Sequence, residues 1–167
     1  MQTKVKYFVL ALIVLIADQV SKAWATNKLL PVDSLEVIPN FFRFTYERKR
    51  GVAFSLFADS KYEIKWVLAA ISLLAAIGVA YYLIRLAANN LRLNISLSLL
   101  LAGIVGNLID RVRLGEVVDF IDFHWYEKYT WPTFNIADAA ICIGAALLAL
   151  EMLFEEKTPS HNATLTD

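Results

Sequence analysis

Four long apolar blocks, separated by connections of unequal length, set the pattern of this chain. The first covers residues 7–24; it is uncharged from Tyr7 to Ala17 and then meets Asp18 and Lys22. The second, Trp66 to Ile84, and the third, Leu93 to Ile109, carry no charge at all. The fourth, residues 131–150, is broken by one charge, Asp138. A membrane span needs about 20 mostly apolar residues, and in lipid only helices or closed barrels satisfy the backbone. The blocks are continuous rather than alternating, so they predict four transmembrane helices and not barrel strands. The first block also has traits of a cleaved signal: Lys4 and Lys6, an apolar stretch, then Ala23-Trp24-Ala25. Asp18 and Lys22, just ahead of that cut, argue for a retained span.

The connections differ. Residues 25–65 are long, and the stretch from Glu36 to Glu47 alternates in part and is rich in aromatics. It predicts short strands outside the bilayer or at its surface. Residues 85–92 form a short link, residues 110–130 a longer loop, and residues 155–167 a polar tail. The expectation is a membrane all-α protein, one integral domain over residues 1–167, with a small β-rich subdomain between spans one and two. Phe41, Phe42, Phe44, Trp66, Trp125 and Trp131 suit an interfacial belt.

Composition sharpens this picture. Apolar residues make up 58% of the chain and charged ones 19%, against roughly 45–50% and 25% in soluble domains. Sixteen basic residues balance sixteen acidic ones, so the basic excess of a nucleic-acid binder is missing. The single cysteine, Cys142, excludes an intramolecular disulfide, and His124 with Glu127 is too little for a metal site. Counting Lys and Arg alone would place the two longer connections in the cytoplasm.

Ionisable groups inside spans are costly and therefore functional candidates. Asp18, Asp110 and Asp138 qualify, and counting spans brings all three near one membrane face. Two of them share a pattern, Asn107-Leu-Ile-Asp110 and Asn135-Ile-Ala-Asp138, in which i, i+3 spacing sets an amide beside a carboxylate. Two carboxylates close together in a low dielectric tend to share one proton. The ionised one activates water and the protonated one polarises a carbonyl, as in an aspartic peptidase. The plainer alternatives are a helix cap for a single Asp or an ion pair of Asp110 with Arg111 or Arg113. Asp119 and Asp122 are competing carboxylates that, lying in a connection, are expected to be solvated.

Gly106-Asn-Leu-Ile-Asp-Arg111, Val117-Val-Asp-Phe-Ile-Asp-Phe-His-Trp125 and Phe134-Asn-Ile-Ala-Asp138 resemble motifs of bacterial lipoprotein signal peptidase (signal peptidase II). Asp18-Gln-Val-Ser-Lys22 resembles its first motif, and Arg50-Gly-Val-Ala-Phe-Ser55 its second. The likeness runs from about residue 7 to 155. It implies an aspartic endopeptidase of the bacterial inner membrane that cuts the signal peptide of a diacylglyceryl-modified prolipoprotein just before the lipidated cysteine. It implies no cofactor, both termini in the cytoplasm, the site near the outer face, and an extracytoplasmic sheet from the first long connection. By motif, Asp110 and Asp138 are the expected catalytic pair; Asp18, Lys49, Gly51, Asn107, Arg111 and Asn135 are expected to support the site or position substrate. Prolipoprotein substrates and membrane lipids are the expected partners, without nucleic acid, and a monomer is expected.

The chain departs from the family pattern at Lys49, where Asn is usual two residues before the motif glycine, and at Val52, where Ala is usual. Ala102 and Ile104 stand where Gly and Ala are common. Lys49 is expected to join Arg48 and Arg50 in a solvated basic edge, the alternative being an inward cation beside the carboxylates. Outside the peptidase class, the contending reading is a small proton-relay carrier or channel subunit built on the intramembrane Asp residues.

Overall fold

The computed structural model describes residues 2–49, 63–87, 89–126 and 128–155. In chain order these form α1 (Gln2–Leu29), β1 (Ser34–Ile38), β2 (Phe42–Lys49), α2 (Glu63–Arg85), α3 (Leu91–Leu114), β3 (Val117–Trp125), β4 (Tyr129–Thr130) and α4 (Ile136–Glu155). Each apolar block is a helix long and apolar enough to cross a membrane. The helices overrun the blocks: α1 continues through Asp18 and Lys22 to Leu29, and α3 through Asp110 to Leu114. Polar side chains do not end a helix when tertiary partners receive them.

α3 is the centre of the bundle, packed against α1, α2 and α4. Over half of its apolar window is buried, against 17–22% for the other three helices. Those three therefore present Leu12, Ile16, Leu74, Ile77 and Ile143 outward, as lipid-facing helices do. Gly103 lets α3 approach the α4 backbone: a Cβ there would strike the Ala137 carbonyl and the Ile141 side chain. Ser96 Oγ donates to Gly144 O at 2.7 Å, a second close crossing of the same pair. At the opposite end of the bundle, Lys4 Nζ donates to Leu83 O at 2.8 Å, so the start of α1 meets the last carbonyls of α2.

The sheet is antiparallel, in the order β1-β2-β3-β4. β1 and β2 come from the first long connection, as expected. Its longest strand, β3, comes instead from the loop between α3 and α4, with Phe44 opposite Ile121 and Lys49 opposite Val117. Gly115, at φ 78°, closes α3 and donates to Arg111 O, which turns the chain at once into β3. Phe120 then packs on Ala25 and Leu29 of α1, with Phe44, Tyr46 and Ile136 around it. This docking overturns the expectation that Asp119 and Asp122 are solvated: they are 2% and 3% exposed. Apolar and polar residues fall on both faces of Val-Val-Asp-Phe-Ile-Asp-Phe-His, so the segment reads as a connection, yet it is a strand buried on both faces at its start.

Candidate active site

The two Asn-x-x-Asp turns look alike in sequence and do different work. Asn135 stands just ahead of α4; its Oδ1 accepts from Asp138 N at 2.9 Å, and its own N–H points to Asp138 Oδ2 at 3.4 Å. That is a reciprocal cap on the first turn of α4. Asn107 and Asp110 lie instead near the end of α3, and they face α1. Asn107 Nδ2 donates to Asp138 Oδ1 at 2.7 Å, so one amide from each turn serves the same carboxylate.

Asp110 is held by a buried ionic knot. Lys22 Nζ lies 2.9 Å from Asp110 Oδ2, 3.0 Å from Asp18 Oδ2 and 3.0 Å from Asn107 Oδ1. Gln19 Nε2 donates to Asp18 Oδ2 at 3.1 Å and to Asp110 Oδ1 at 3.2 Å. Val118 N reaches Asp110 Oδ2 at 3.3 Å, and Ala137 N donates to Asp18 Oδ1 at 2.9 Å. Asp18 thus pins α4 to α1, and Gly106 leaves the room: a Cβ there would sit 2.5 Å from Asp18 Oδ2. The two carboxylates share the single Lys22 cation and are surrounded by fixed donors.

Asp119 occupies a different setting. Its Oδ1 accepts from Asn135 Nδ2 at 2.6 Å and its Oδ2 lies 2.9 Å from Lys49 Nζ. Burial pushes the carboxyl up to about 6, with the charge of Asp138 adding to the rise, while Lys49 and Asn135 hold it down. Asn135 Nδ2 also approaches Val118 O at 3.2 Å and Asn107 Oδ1 at 3.3 Å. One amide side chain therefore links Asp119, Asn107 and the cap of Asp138. Arg111 donates to Ser72 Oγ of α2 at 3.4 Å, and its charge acts on Asp138, Asp110 and Asp119. Its buried Nε has no hydrogen-bond partner among the described residues.

Of the residues singled out from sequence, Asp18, Asn107, Asp110, Arg111, Asn135 and Asp138 converge, with Lys49 joined through Asp119. Gly51 lies outside the described residues. The solvated edge expected of Lys49 is overturned: Lys49 turns inward to Asp119 and to the Thr133 carbonyl, whereas Arg48 stays exposed beside Tyr46 and Glu116. Gln19 and Lys22 join the site in addition to the residues expected from the sequence. The i, i+4 spacing of Asp18 and Lys22 was the available signal.

The signal peptidase (SPase) II family model matches residues 10–154. A lipoprotein signal peptidase of Geobacter metallireducens is 42% identical over 148 residues, covering 89% of this chain and 90% of its own. One of Pseudomonas putida is 40% identical over 155 residues, covering 92% and 91%. A bacterial membrane enzyme solved by the in meso method at 2.3 Å superposes with a TM-score of 0.80 and 35% identity, covering 96% of this chain and 94% of that one. With five motifs in order and the four-helix-and-sheet fold shared, the chain belongs to the signal peptidase II family.

Proposed function

We propose that this chain is the aspartic endopeptidase that removes the signal peptide from diacylglyceryl-modified prolipoproteins, cutting just before the lipidated cysteine, and that Asp119 and Asp138 are its working pair. The assignment replaces the pairing of Asp110 with Asp138 suggested by the repeated Asn-x-x-Asp turns. One observation carries it: Asp119 is raised in proton affinity by its burial, with the Asp138 charge adding to the rise, and is joined to Asp138 through Asn135, while Asp110 is committed to Lys22. A carboxylate tied to a buried ammonium is a poor base and cannot serve as an acid.

The chemistry follows from one proton shared by two carboxyls. The ionised member takes a proton from water as the water oxygen bonds to the scissile carbonyl carbon. The protonated member gives its proton to the carbonyl oxygen, forming a tetrahedral diol. Collapse returns a proton to the amide nitrogen, the C–N bond breaks, and the signal peptide leaves as a carboxylic acid and the lipidated cysteine as an amine. Asn107 and Asn135 hold the two carboxyls in register, and the open Nε of Arg111 suits a carbonyl of the unwound substrate backbone. A membrane-bound lipidated helix arrives laterally, past the lipid-facing helices. The proposed setting is a single-domain, monomeric inner-membrane protein with cytoplasmic termini and the site near the outer face. The proton-relay reading is not favoured, because the relatives are peptidases.

Cleavage of a lipidated prolipoprotein by the reconstituted protein tests this. Asp119→Asn and Asp138→Asn each abolish turnover in folded protein, and Asp110→Asn retains measurable turnover. Turnover surviving in folded Asp119→Asn but lost in folded Asp110→Asn would restore the other pairing.

A further inference from the structure

Lys49 is the last residue of β2, paired in register with Val117, and its ammonium reaches back along the ladder to the Glu47–Asp119 pair, two positions away on the same face. There it lies 2.9 Å from Asp119 Oδ2 and donates to the carbonyl of Thr133, in the segment that leads into α4. Thr133 is held in turn from β2, through its hydroxyl to Glu47. The ammonium therefore fastens three pieces together: the end of β2, the carboxylate on β3, and the approach to the cap of Asp138. The side chain is 24% exposed while that of Asp119 is 3% exposed, so the cation sits where the buried carboxylate meets the open side of the site.

We propose that Lys49 is a positioning residue that clamps Asp119 against the Thr133 segment and sets the pH at which the Asp119–Asp138 pair gives up its shared proton. The inference rests on the reading of Asp119 and Asp138 as the working pair. The groups facing Asp119 make the sign definite. From α4 comes the negative charge of Asp138, which resists ionisation of Asp119. From α3 comes Arg111, whose charge acts on both carboxylates, more on Asp138 than on Asp119. From β2 come Glu47, bonded away to Thr133, and Lys49. Asn135 contributes an amide that does not titrate. Asp110 lies behind, paired with Lys22, which it shares with Asp18. Lys49 is thus the ammonium in direct contact with Asp119 among the described residues. A cation at that distance favours the ionised form of the pair. With an amide in its place, both ionisations of the pair move to higher pH. Lysine here trades some proton affinity at the site for a charged clamp.

The test is the pH dependence of kcat/KM for cleavage of a lipidated prolipoprotein peptide in nanodiscs, with wild type, Lys49→Arg, Lys49→Gln and Lys49→Met. In Lys49→Gln and Lys49→Met the whole bell moves up by about one pH unit, the low end of what an adjacent opposite charge does, because the lysine is partly open to water. Lys49→Arg keeps the charge and stays within a few tenths of a unit of wild type. A bell that stays in place in both neutral variants overturns the proposal, as does Lys49→Arg moving with them. Should a neutral variant lose turnover at every pH, the protonated-carboxyl infrared band of the folded, substrate-free protein gives the same answer: an unshifted titration overturns the proposal. Asp119→Asn separates the two layers. If it cleaves normally, the working pair itself is wrong; if it is inactive and the Lys49 profiles do not move, only the role of Lys49 fails.

Discussion

Lys22 offers the sharpest test of how the site is held together. Its side chain is 4% exposed, and its ammonium lies within 3.0 Å of Asp18, Asp110 and Asn107. Lys22→Met keeps most of the volume and the flexible stem but leaves two buried carboxylates without their cation. Removing one partner of a buried ion pair costs about 3–5 kcal/mol. For a chain of this size each kcal/mol moves the midpoint by about 2–4 °C, so the variant should unfold roughly 6–20 °C below wild type. The control is Arg92→Met. Arg92 is 70% exposed and lies 3.8 Å from Glu151, and an exposed pair is worth about 0–1 kcal/mol. The triple variant Asp18→Asn/Lys22→Met/Asp110→Asn, with no charge left to strand, should regain most of the loss. Thermal unfolding in detergent, followed by tryptophan fluorescence, reads all four proteins. Turnover in Lys22→Met should fall as well, because Lys22 fixes which end of the Asn107 amide faces Asp138. If Lys22→Met unfolds with the Arg92→Met control, or the triple variant is no better than the single, the knot does not hold the fold as argued.

Asp119 is raised from 3.8 to about 6; an acid raised on folding stabilises fully below its unfolded value and loses that contribution as pH rises through its folded one. Stability should therefore decline between about pH 4 and 6, on the order of 2–3 kcal/mol. Asp119→Asn should be inactive yet more stable than wild type at pH 7, as pH-dependent unfolding would show. Gly103→Ala drives a methyl into the α4 backbone at Ala137 and should cost about 1–3 kcal/mol. It should also lower turnover at least tenfold by moving the turn that carries Asp138. Gly78→Ala, with nothing within 4 Å of the added carbon, should be neutral or slightly stabilising in the same assays. Reporter fusions after the C-terminus and at Lys61 should report opposite sides of the membrane; the same side for both would sink the proposed topology.

Four uncharged or nearly uncharged blocks were enough to read four helices, because in lipid only helices and closed barrels satisfy the backbone and these blocks do not alternate as barrel strands do. The aromatic alternation after Glu36 was enough to place strands next to the first span. Asp138 and its amide were legible too, since the cap of α4 is a local device spanning four residues. The resemblance of five motifs placed the chain in its family before any geometry was available.

Which carboxylate partners Asp138 was not legible, and the reason is long-range. Asn107-x-x-Asp110 repeats the Asn135-x-x-Asp138 spacing, but Asp110 faces α1, where Lys22 pairs with it across a separation of 88 residues. Asp119 sits in what reads as a solvated loop, and it is buried only because β3 adds to β2 and Phe120 docks on Ala25 and Leu29. Lys49 likewise reads as one of three surface cations until strand register sets it beside β3. Local pattern determined the helices, the caps and the family; the charge state of each carboxylate was decided by which distant cation the fold brought to it, because desolvation and pairing depend on burial and distance rather than on neighbours in the chain.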